Sequence, residues 1–401
     1  MPLPTTAADC VKCGACTVAC PVYRVTGRES LTARGRLHLL TTDLAESPSS
    51  HFADLFSACL LCGRCEEVCS RGLPITTLVA ECRQRFGFRA GRHWLRRSLV
   101  RRSLSHPDLL GALARTGQLL GRMPGLAAGS GLRLRLGILE DDPGRPASLP
   151  ALRQPVLRPK DEHRIGYFSG CFAIHLQPSI ARRAIALATR SAGGPLVMPK
   201  QQTCCGLAAW SAGRIEEAKR LAAVNIGAFS RSSGPVLVSC ASCFAHLRRY
   251  GELFADDPAM QDRAERFSAR VTDIMTYLVQ AASLRVQQRA DCRVWYHEPC
   301  HLRRFPEASR AAARLLQQTA GFSLVTPPGF SRCCGQGGLF HLGYPELSGK
   351  IFQRSLDSLL SHCPEIITTT CSGCLMQFQV ELARRNLDIR VVHLLLLLAD
   401  G

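Results

Sequence analysis

Short apolar runs, each followed closely by a cysteine, recur through the second half of the chain. They cover residues 164–168, 235–239, 293–297 and 365–370. Their length and their content of β-branched and aromatic residues are typical of buried strands. Helix-forming segments lie between them, and Pro178 and Pro306 stand where a first helical turn accepts proline. Strands that alternate with helices predict α/β domains with parallel sheets.

The order of these elements is repeated. From Arg164 onward the chain runs twice through a strand, a cysteine, a helix, a strand, Cys-Cys-Gly, a long helix, a strand and Cys-x-x-Cys. Three cysteines of the first copy recur 129 residues later and a fourth recurs 131 residues later, which predicts an internal duplication. The first copy contains Cys171, Cys204, Cys205, Cys240 and Cys243, and the second contains Cys300, Cys333, Cys334, Cys371 and Cys374.

These ten cysteines are expected to form one site per copy. Ligands of parallel sheets gather beyond the carboxyl ends of the strands, so cysteines that are distant in sequence can converge there. Gly206 and Gly335 would let the backbone bend around the adjacent cysteine pairs. Five thiols exceed the four that a cubane iron–sulfur cluster uses. Each site therefore either binds an unusual cluster or leaves one thiol free for redox chemistry, and the sequence leaves both alternatives open.

Two histidines flank one of these cysteines. His297 and His301 stand on either side of Cys300, which makes them candidates for metal ligation or proton transfer. The first copy has Phe168 and Phe172 at the equivalent positions, which favours a packing role instead. Three further cysteines are isolated and are expected to pack as small apolar residues: Cys82, Cys292 and Cys363.

A denser cysteine pattern occupies the N-terminal part of the chain. The spacing C-x-x-C-x-x-C-x-x-x-C occurs twice, followed first by Pro21 and then by Ser70. Three closely spaced thiolates can hold one four-iron cluster while the fourth reaches a second cluster, as in bacterial two-cluster ferredoxins. Zinc sites usually separate their cysteine pairs by about a dozen residues or more, so zinc is the weaker interpretation. One predicted [4Fe-4S] site is Cys10, Cys13, Cys16 and Cys69, and the other is Cys59, Cys62, Cys65 and Cys20.

Two arginine-rich segments accompany this module. Arg34-Gly35-Arg36 is either a cationic loop that faces a cluster or a solvated helix start. Residues 93–105 have the pattern of a basic amphipathic helix, in which Leu95 and Leu99 lie among arginines. We expect its apolar stripe to pack against the neighbouring module, with docking on an acidic flavoprotein or on an anionic membrane as alternatives.

Composition and charge narrow the protein class. The 46% hydrophobic and 20% charged residues are typical of a globular protein. The N-terminus lacks a secretory signal, so we expect a reducing, cytoplasmic compartment in which the 21 cysteines bind metal rather than form disulfides. The formal charge of +19 would fall to roughly +15 with two clusters bound. The charge lacks a nucleic-acid recognition fold, so no nucleic-acid partner is expected.

The same composition predicts how the chain is divided. The length of 401 residues favours several domains. Shifts in cysteine content place a two-cluster domain at 1–85, a basic helical linker at 86–162 and the two cysteine-rich copies at 163–285 and 286–401. The longest apolar run, at 391–399, is far shorter than the roughly 20 residues of a membrane span. No G-x-G-x-x-G follows a strand, so the flavin or nicotinamide site should lie on a partner.

Together these motifs resemble the iron–sulfur subunits of glycolate oxidase and of lactate-utilisation complexes. The resemblance rests on DCVKCGACTVACPVYRVTG, ARGRLHLL, TCCG, YHEPCHLRR, RCCGQGG and CSGCLMQ, and it covers nearly the whole chain. It implies a mixed α+β and α/β protein, with a helical 2[4Fe-4S] ferredoxin-type domain, a helical linker and two α/β CCG domains with parallel sheets. Similar layouts occur in heterodisulfide reductases and in the anaerobic glycerol-3-phosphate dehydrogenase iron–sulfur subunit.

The resemblance also implies a function. The chain would take electrons from an FAD-containing 2-hydroxy-acid dehydrogenase subunit and pass them to an acceptor such as quinone, at the inner face of the membrane in that case, with no activity of its own. In heterodisulfide reductases the CCG cysteines bind non-cubane four-iron clusters, so the ten cysteines of the two copies would hold one or two further clusters. Both copies are complete here, whereas many glycolate-oxidase relatives lack part of one motif, and this keeps disulfide reduction open as an alternative.

Overall fold

The computed structural model describes most of the chain. The described residues are 7–87, 94–106, 109–113, 116, 164–192, 194, 196–281, 292–318, 321–327 and 332–398. Most of the predicted linker at 86–162 lies outside them. The predicted domain boundaries at 85, 162 and 285 stay predictions.

Helices dominate the described residues. The helices are α1 (Ala15–Ala19), α2 (Tyr23–Thr26), α3 (Ala33–Leu40), α4 (Ser50–Ser57), α5 (Arg64–Glu67), α6 (Ile75–Phe86), α7 (Trp94–Ser105), α8 (Gly170–His175), α9 (Pro178–Ala192), α10 (Leu207–Ser211), α11 (Ile215–Ala228), α12 (Ala241–Leu247), α13 (Tyr250–Leu253), α14 (Pro258–Arg270), α15 (Ile274–Gln280), α16 (Pro306–Gln318), α17 (Phe340–Gly343), α18 (Pro345–Leu360) and α19 (Ser372–Arg384). The strands are β1 (Gly166–Phe168), β2 (Val236–Val238), β3 (Val271–Asp273), β4 (Cys292–Tyr296), β5 (Phe322–Leu324), β6 (Ile366–Thr369) and β7 (Arg390–His393). Within the described ranges, no helix combines the length and the apolar character that crossing a bilayer requires.

Chain contacts divide the protein into two compact units. The first unit contains Met1–Arg102, Leu207–Ala218 and Arg332–Ser358. The second contains Ser103–Gly206, Lys219–Ser331 and Leu359–Gly401. Both sheets belong to the second unit, and the eight N-terminal motif cysteines belong to the first.

The two sheets of the second unit repeat one topology. The first has the order β1-β2-β3, with a single parallel bridge from Gly166 to Val197 on its free side. The second has the order β5-β4-β6-β7. All the pairings are parallel, as the alternation of strands and helices predicts. Strand β5 therefore occupies in the second sheet the place of the Val197 bridge in the first, and the predicted duplication is visible in the backbone.

One hydrophobic core serves both repeats. Tyr167 and Leu237 of the first sheet belong to the same buried cluster as Val294 and Ile366 of the second. Side chains of α9, α15 and α16 complete this cluster. Helices α9 and α16 begin at Pro178 and Pro306, the two prolines that the sequence assigns to first helical turns. The two sheets therefore share one hydrophobic core instead of each having its own.

The first unit is helical and is built around the N-terminal cysteine motifs. Thr32 caps α3 by accepting a hydrogen bond from Gly35 N at 3.1 Å, and Ser49 caps α4 by accepting one from Phe52 N at 3.1 Å. The rings of Phe52, Phe56 and Phe86 lie 5.2–5.6 Å apart and join α4 to α6. These contacts hold the segments that precede and follow the second motif.

Chain segments from the cysteine-rich copies complete this unit. At Gly337, whose φ is +50°, an added Cβ would lie 2.5 Å from Leu60 Cδ2, so only glycine allows this approach. The hydroxyl of Tyr344 donates a hydrogen bond to Asp54, and the guanidinium of Arg97 lies 5.9 Å from the centre of the Tyr344 ring. The residues that follow each Cys-Cys-Gly therefore form part of the unit that carries the N-terminal motifs.

Helix α7 confirms the predicted basic helix but not its predicted orientation. Leu95 and Leu99 are 66% and 64% exposed, whereas Arg97 and Arg101 are buried. Arg101 forms an ion pair with Glu217. The expectation that the leucine stripe packs inward is therefore wrong for these two residues. The arginines are drawn inward because a carboxylate and an aromatic ring are available to them there.

Substitution of Gly35 tests the packing of α3. In Gly35→Ala the new methyl group would overlap the backbone of Glu29 and Ser30. We expect a loss of about 1–3 kcal/mol of stability, measured as a fall in melting temperature. The matched control is Gly349→Ala in α18, where no atom lies within 4 Å and the helix should gain up to about 1 kcal/mol. Equal melting temperatures for the two variants would contradict this packing.

Candidate metal centres

The two N-terminal cysteine motifs have the same backbone geometry. Lys12 and Leu61, at equivalent positions, have φ values of +55° and +54°. Gly14 and Gly63 follow with φ values of +84° and +74°, and each precedes a short helix. Left-handed residues at these points turn the chain back on itself, so that successive cysteines face a common centre.

The structure groups the eight motif cysteines by space rather than by sequence. One cavity is lined by Cys10, Cys13 and Cys16 of the first motif together with Cys69 and Cys65 of the second. Cys20, the last cysteine of the first motif, lies instead within electrostatic reach of Cys59. The fourth cysteine of each motif thus lies close to cysteines of the other motif.

Seven of these eight cysteines are half-buried, and Cys13 is exposed. Burial raises the pKa of Cys65 well above its ordinary value, and the nearby Cys62, Cys59 and Cys20 raise it further. Four mutually repelling sulfurs in an apolar space favour a positively charged partner that all of them can bind. Cysteine thiolates are the ligands that hold iron–sulfur clusters in proteins, so these residues fit such a cluster.

The Arg34-Gly35-Arg36 segment combines features of both interpretations. Arg34 is partly exposed, pairs with Glu29 and lines the cavity beside Cys10, Cys13 and Cys16. Arg36 is buried inside the unit. The segment is therefore the start of a helix. Arg34 faces solvent and a cysteine cavity, and Arg36 faces the interior.

All five cysteines of the first repeat are brought together. Cys204 accepts hydrogen bonds from the thiols of Cys171 and Cys205, and this lowers its pKa well below the ordinary value. Donation to Cys205 and Cys240 raises the pKa of Cys243 well above its ordinary value. Gly206, with φ +90°, donates its backbone N–H to Cys204 Sγ at 3.5 Å. The result is a continuous group of sulfurs beyond the carboxyl ends of β1 and β2.

This group continues into the second repeat. Cys240 and Cys371 each cap the helix that follows a central strand. The Cys371 thiol donates to Cys240, which helps to lower the pKa of Cys240 and raises that of Cys371. Ser372 N donates to Cys240 Sγ at 3.5 Å, and Ala241 N donates to Thr370 O at 2.8 Å. The two cysteine sets, predicted as one site per copy, therefore meet through one sulfur–sulfur contact.

The other cysteines of the second set lie in both compact units. Cys374 follows Cys371 within hydrogen-bonding reach, and a ring nitrogen of His297 lies within 4.8 Å of its sulfur. Cys300 contacts His301 Nδ1 at 3.7 Å. Cys333 and Cys334 are buried in the first unit. There Gly335, with φ +84°, donates its N–H to Cys333 Sγ at 3.3 Å, which repeats the turn seen at Cys204.

Buried polar residues that carry no motif hold the first Cys-Cys turn. Asn225 accepts a hydrogen bond from Thr203 N at 2.8 Å and donates one to Cys204 O at 3.0 Å. Tyr250 OH donates to Cys205 O at 2.7 Å and contacts Asn225. Both side chains are fully buried. Sequence reasoning missed them because they stand about 20 and 45 residues from the turn, on helices whose pattern shows only burial.

The three isolated cysteines differ in burial. Cys82 is buried, which raises its pKa to about 12, as expected of a cysteine that packs like a small apolar residue. Cys363 is exposed and has φ +41°, so the same expectation is wrong for it. Cys292 is half-buried at the start of β4.

Comparison with known proteins supports this reading of the architecture. A model described as "4Fe-4S dicluster domain" matches residues 6–73, and one described as "Cysteine-rich domain" matches residues 165–248 and again 294–379. These matches confirm the mixed helical and parallel-sheet fold, the duplication and the iron–sulfur cofactors.

Whole-chain relatives agree with the domain matches. The "Probable glycolate oxidase iron-sulfur subunit" of Bacillus subtilis is 28% identical over 98% of this chain and 93% of its own length. The "Glycolate oxidase iron-sulfur subunit" of Escherichia coli is 26% identical over 91% of this chain and 88% of its own. The "Lactate utilization protein A" of Shouchella clausii is 30% identical over 57% of this chain and 96% of its own.

Removal of one hydroxyl tests the support of the Cys204-Cys205 turn. Tyr250→Phe leaves the buried carbonyl of Cys205 without its donor, so we expect a loss of about 1–3 kcal/mol in thermal unfolding. Tyr277→Phe, at a half-buried tyrosine outside the turn, is the control and should melt close to the unmodified protein. If both variants melt alike, Tyr250 does not support the turn.

Proposed function

The chain belongs to the family of glycolate oxidase iron-sulfur subunits and lactate utilization protein A, and on this premise we propose a function in electron transfer. It is the iron–sulfur subunit of a complex that oxidises glycolate, lactate or a related 2-hydroxy acid. An FAD-containing subunit oxidises the substrate. This chain carries the electrons from the flavin to an acceptor, for which quinone is our candidate, and has no activity alone.

The spatial grouping of the N-terminal cysteines carries this proposal. We assign Cys10, Cys13, Cys16 and Cys69 to one four-iron cluster and Cys59, Cys62, Cys65 and Cys20 to the other. The cavity that contains cysteines of both motifs and the proximity of Cys20 to Cys59 support this crossed assignment. When bound, such clusters accept and release single electrons. The protein holds the sulfurs on two motifs of the same backbone geometry and partly shields all of them but that of Cys13 from water.

The cysteine-rich copies form the second part of the route. We assign Cys171, Cys204, Cys205, Cys240 and Cys243 to one further cluster site and Cys300, Cys333, Cys334, Cys371 and Cys374 to another. The contact between Cys240 and Cys371 supports electron exchange between the two sites, since the sulfurs of the two sets touch. The complex would act in the cytoplasm, and at the inner face of the membrane where the acceptor is quinone.

One observation also favours a second function. Both copies retain all five cysteines, and the two sets are continuous through Cys240 and Cys371. A disulfide substrate is cleaved by two one-electron reductions, and two neighbouring redox sites suit such a reaction. Disulfide reduction at the cysteine-rich copies is therefore our second candidate. The glycerol-3-phosphate dehydrogenase type of complex would use the same electron route with a different substrate.

Reconstitution tests the first function. We expect the anaerobically purified chain to contain at least the roughly eight iron atoms and eight acid-labile sulfides that two N-terminal four-iron clusters require. Glycolate or lactate should bleach the visible absorbance only after the flavoprotein subunit is added. Cys62→Ser should lower the iron content, whereas Cys363→Ser, at an exposed cysteine outside every proposed set, should not. Zinc without sulfide, or bleaching by the hydroxy acid without the flavoprotein, would refute the proposal.

Electron paramagnetic resonance separates the two candidates. If the cysteine-rich copies reduce a disulfide, added thiol should generate a new paramagnetic species in the oxidised protein. That species should disappear in Cys204→Ser and in Cys333→Ser but persist in Cys82→Ser, at a buried cysteine outside the proposed sets. Spectra that do not depend on thiol would argue against disulfide reduction and leave electron transfer as the function.

A further inference from the structure

Two buried arginines lie beside the second N-terminal cysteine group. Arg36 belongs to α3 and Arg83 to α6, and they are only 2% and 4% exposed. Burial of a guanidinium is costly unless its donors find acceptors. Both side chains therefore occupy a place in the fold that has to supply acceptors, and that place is the end of α4.

Five of the acceptors are consecutive backbone carbonyls, and Arg83 also donates from Nη1 to Ser211 O. Arg36 donates from Nε to Leu55 O at 2.7 Å and from Nη2 to Ala58 O at 3.0 Å. Arg83 donates from Nε to Phe56 O at 3.0 Å, and from Nη2 to Ser57 O at 3.0 Å and to Cys59 O at 2.6 Å. The last carbonyls of a helix have no partner within the helix and carry partial negative charge. The two guanidiniums satisfy them.

This arrangement has a local and an electrostatic consequence. Locally, it fixes the residues that lead from α4 into the second cysteine motif, because Cys59 is itself one of the acceptors. Electrostatically, it places positive charge beside the group Cys20, Cys59, Cys62 and Cys65. The positive charge of Arg36 acts on Cys20 and on Cys65 of this group. Arg83, like Arg36, is a guanidinium and stays protonated at neutral pH.

The other cysteine group has a different environment. Cys13 is exposed, and so are Lys12 and Arg71, two of the cations that line its cavity. The third, Arg34, is partly exposed and pairs with Glu29. Solvent and an ion pair screen such a charge, whereas a charge in the protein interior acts through a lower effective dielectric. The two groups thus have the same ligand chemistry but unequal fields.

We propose that Arg36 and Arg83 make the Cys20, Cys59, Cys62 and Cys65 site the electron-receiving site of the N-terminal module. Reduction adds one negative charge to a cluster, and net charge and surroundings set cluster potentials. Buried cations stabilise that added charge, so the potential at this site lies above that at the Cys10, Cys13, Cys16 and Cys69 site. Electrons then enter at the Cys10, Cys13, Cys16 and Cys69 site and pass to the site beside the two arginines. The inference rests on the proposed function, because it requires both clusters.

The step is a single electron transfer. A cluster held by Cys10, Cys13, Cys16 and Cys69 would lose one electron, and a cluster held by Cys20, Cys59, Cys62 and Cys65 would gain it. No bond is formed or broken, and the arginines keep their protons throughout. Arg36 and Arg83 act here as positioning residues, since they contact backbone carbonyls and act on the cluster through their charge and through the loop that carries Cys59.

A redox titration followed by electron paramagnetic resonance tests the proposal. Cys13→Ser and Cys62→Ser first assign the two cluster signals. In the unmodified chain, the signal that Cys62→Ser alters should be the first to appear on reduction. In Arg36→Gln or Arg83→Gln, the ratio of reduced to oxidised cluster at that site should fall about tenfold at fixed potential, which corresponds to about 59 mV for one electron.

Charge-conserving variants and a neighbouring arginine provide the controls. Arg36→Lys and Arg83→Lys should restore most of the ratio, because the charge returns while the fork of donors does not. Arg34→Gln should leave unchanged the potential of the signal that Cys62→Ser alters. Equal shifts of both signals in the Gln variants, no shift at all, or earlier reduction of the Cys13 signal in the unmodified chain would overturn the proposal. The last of these measurements decides the matter even if the Gln variants do not fold.

The same preparations distinguish this inference from the function on which it rests. Iron and sulfide analysis of the unmodified chain shows whether two clusters are present. If they are absent, the proposed function fails. If they are present and the order of potentials is reversed, only the assignment of Arg36 and Arg83 fails.

Discussion

Buried sulfur is the constraint on which the rest of this structure depends. A thiolate in an apolar interior is costly unless hydrogen bonds or positive charges compensate it. The chain provides such compensation in both cysteine-rich copies and at one group of the N-terminal module. The N–H groups of Gly206 and Gly335 point at cysteine sulfurs, and Cys240 accepts from Ser372 N as well as from neighbouring thiols. In the N-terminal module two guanidiniums lie beside the second group.

The packing of the two copies against each other brings their cysteines together. Each copy brings its cysteines to the carboxyl ends of its own parallel strands, but the copies share one hydrophobic core. This core holds β2 and β6 so that the helices after them begin side by side at Cys240 and Cys371. Two separate sites would exchange electrons only across intervening protein. Because the sulfurs touch, the two copies behave as one redox element in the proposed route.

Relatives of this chain are named for two different processes, glycolate oxidation and lactate utilization. The structure offers a physical reason why one scaffold can serve both. In the proposed role the chain receives electrons and has no contact with the carbon skeleton that released them. The identity of the hydroxy acid is then a property of the flavoprotein.

The sequence by itself determined the composition of the sites and the fold class. Cysteine spacing predicted the two-cluster domain, the 129-residue register predicted the repeat, and alternation of strands and helices predicted parallel sheets, because each of these is a local or periodic property. Only the tertiary structure decided that Arg36 is buried, that Leu95 and Leu99 face outward, that Tyr250 supports the turn at Cys205, and that Cys240 meets Cys371. These outcomes depend on which partners are available across long sequence separations, such as the carbonyls at the end of α4 for Arg36, and no periodicity in the chain records that.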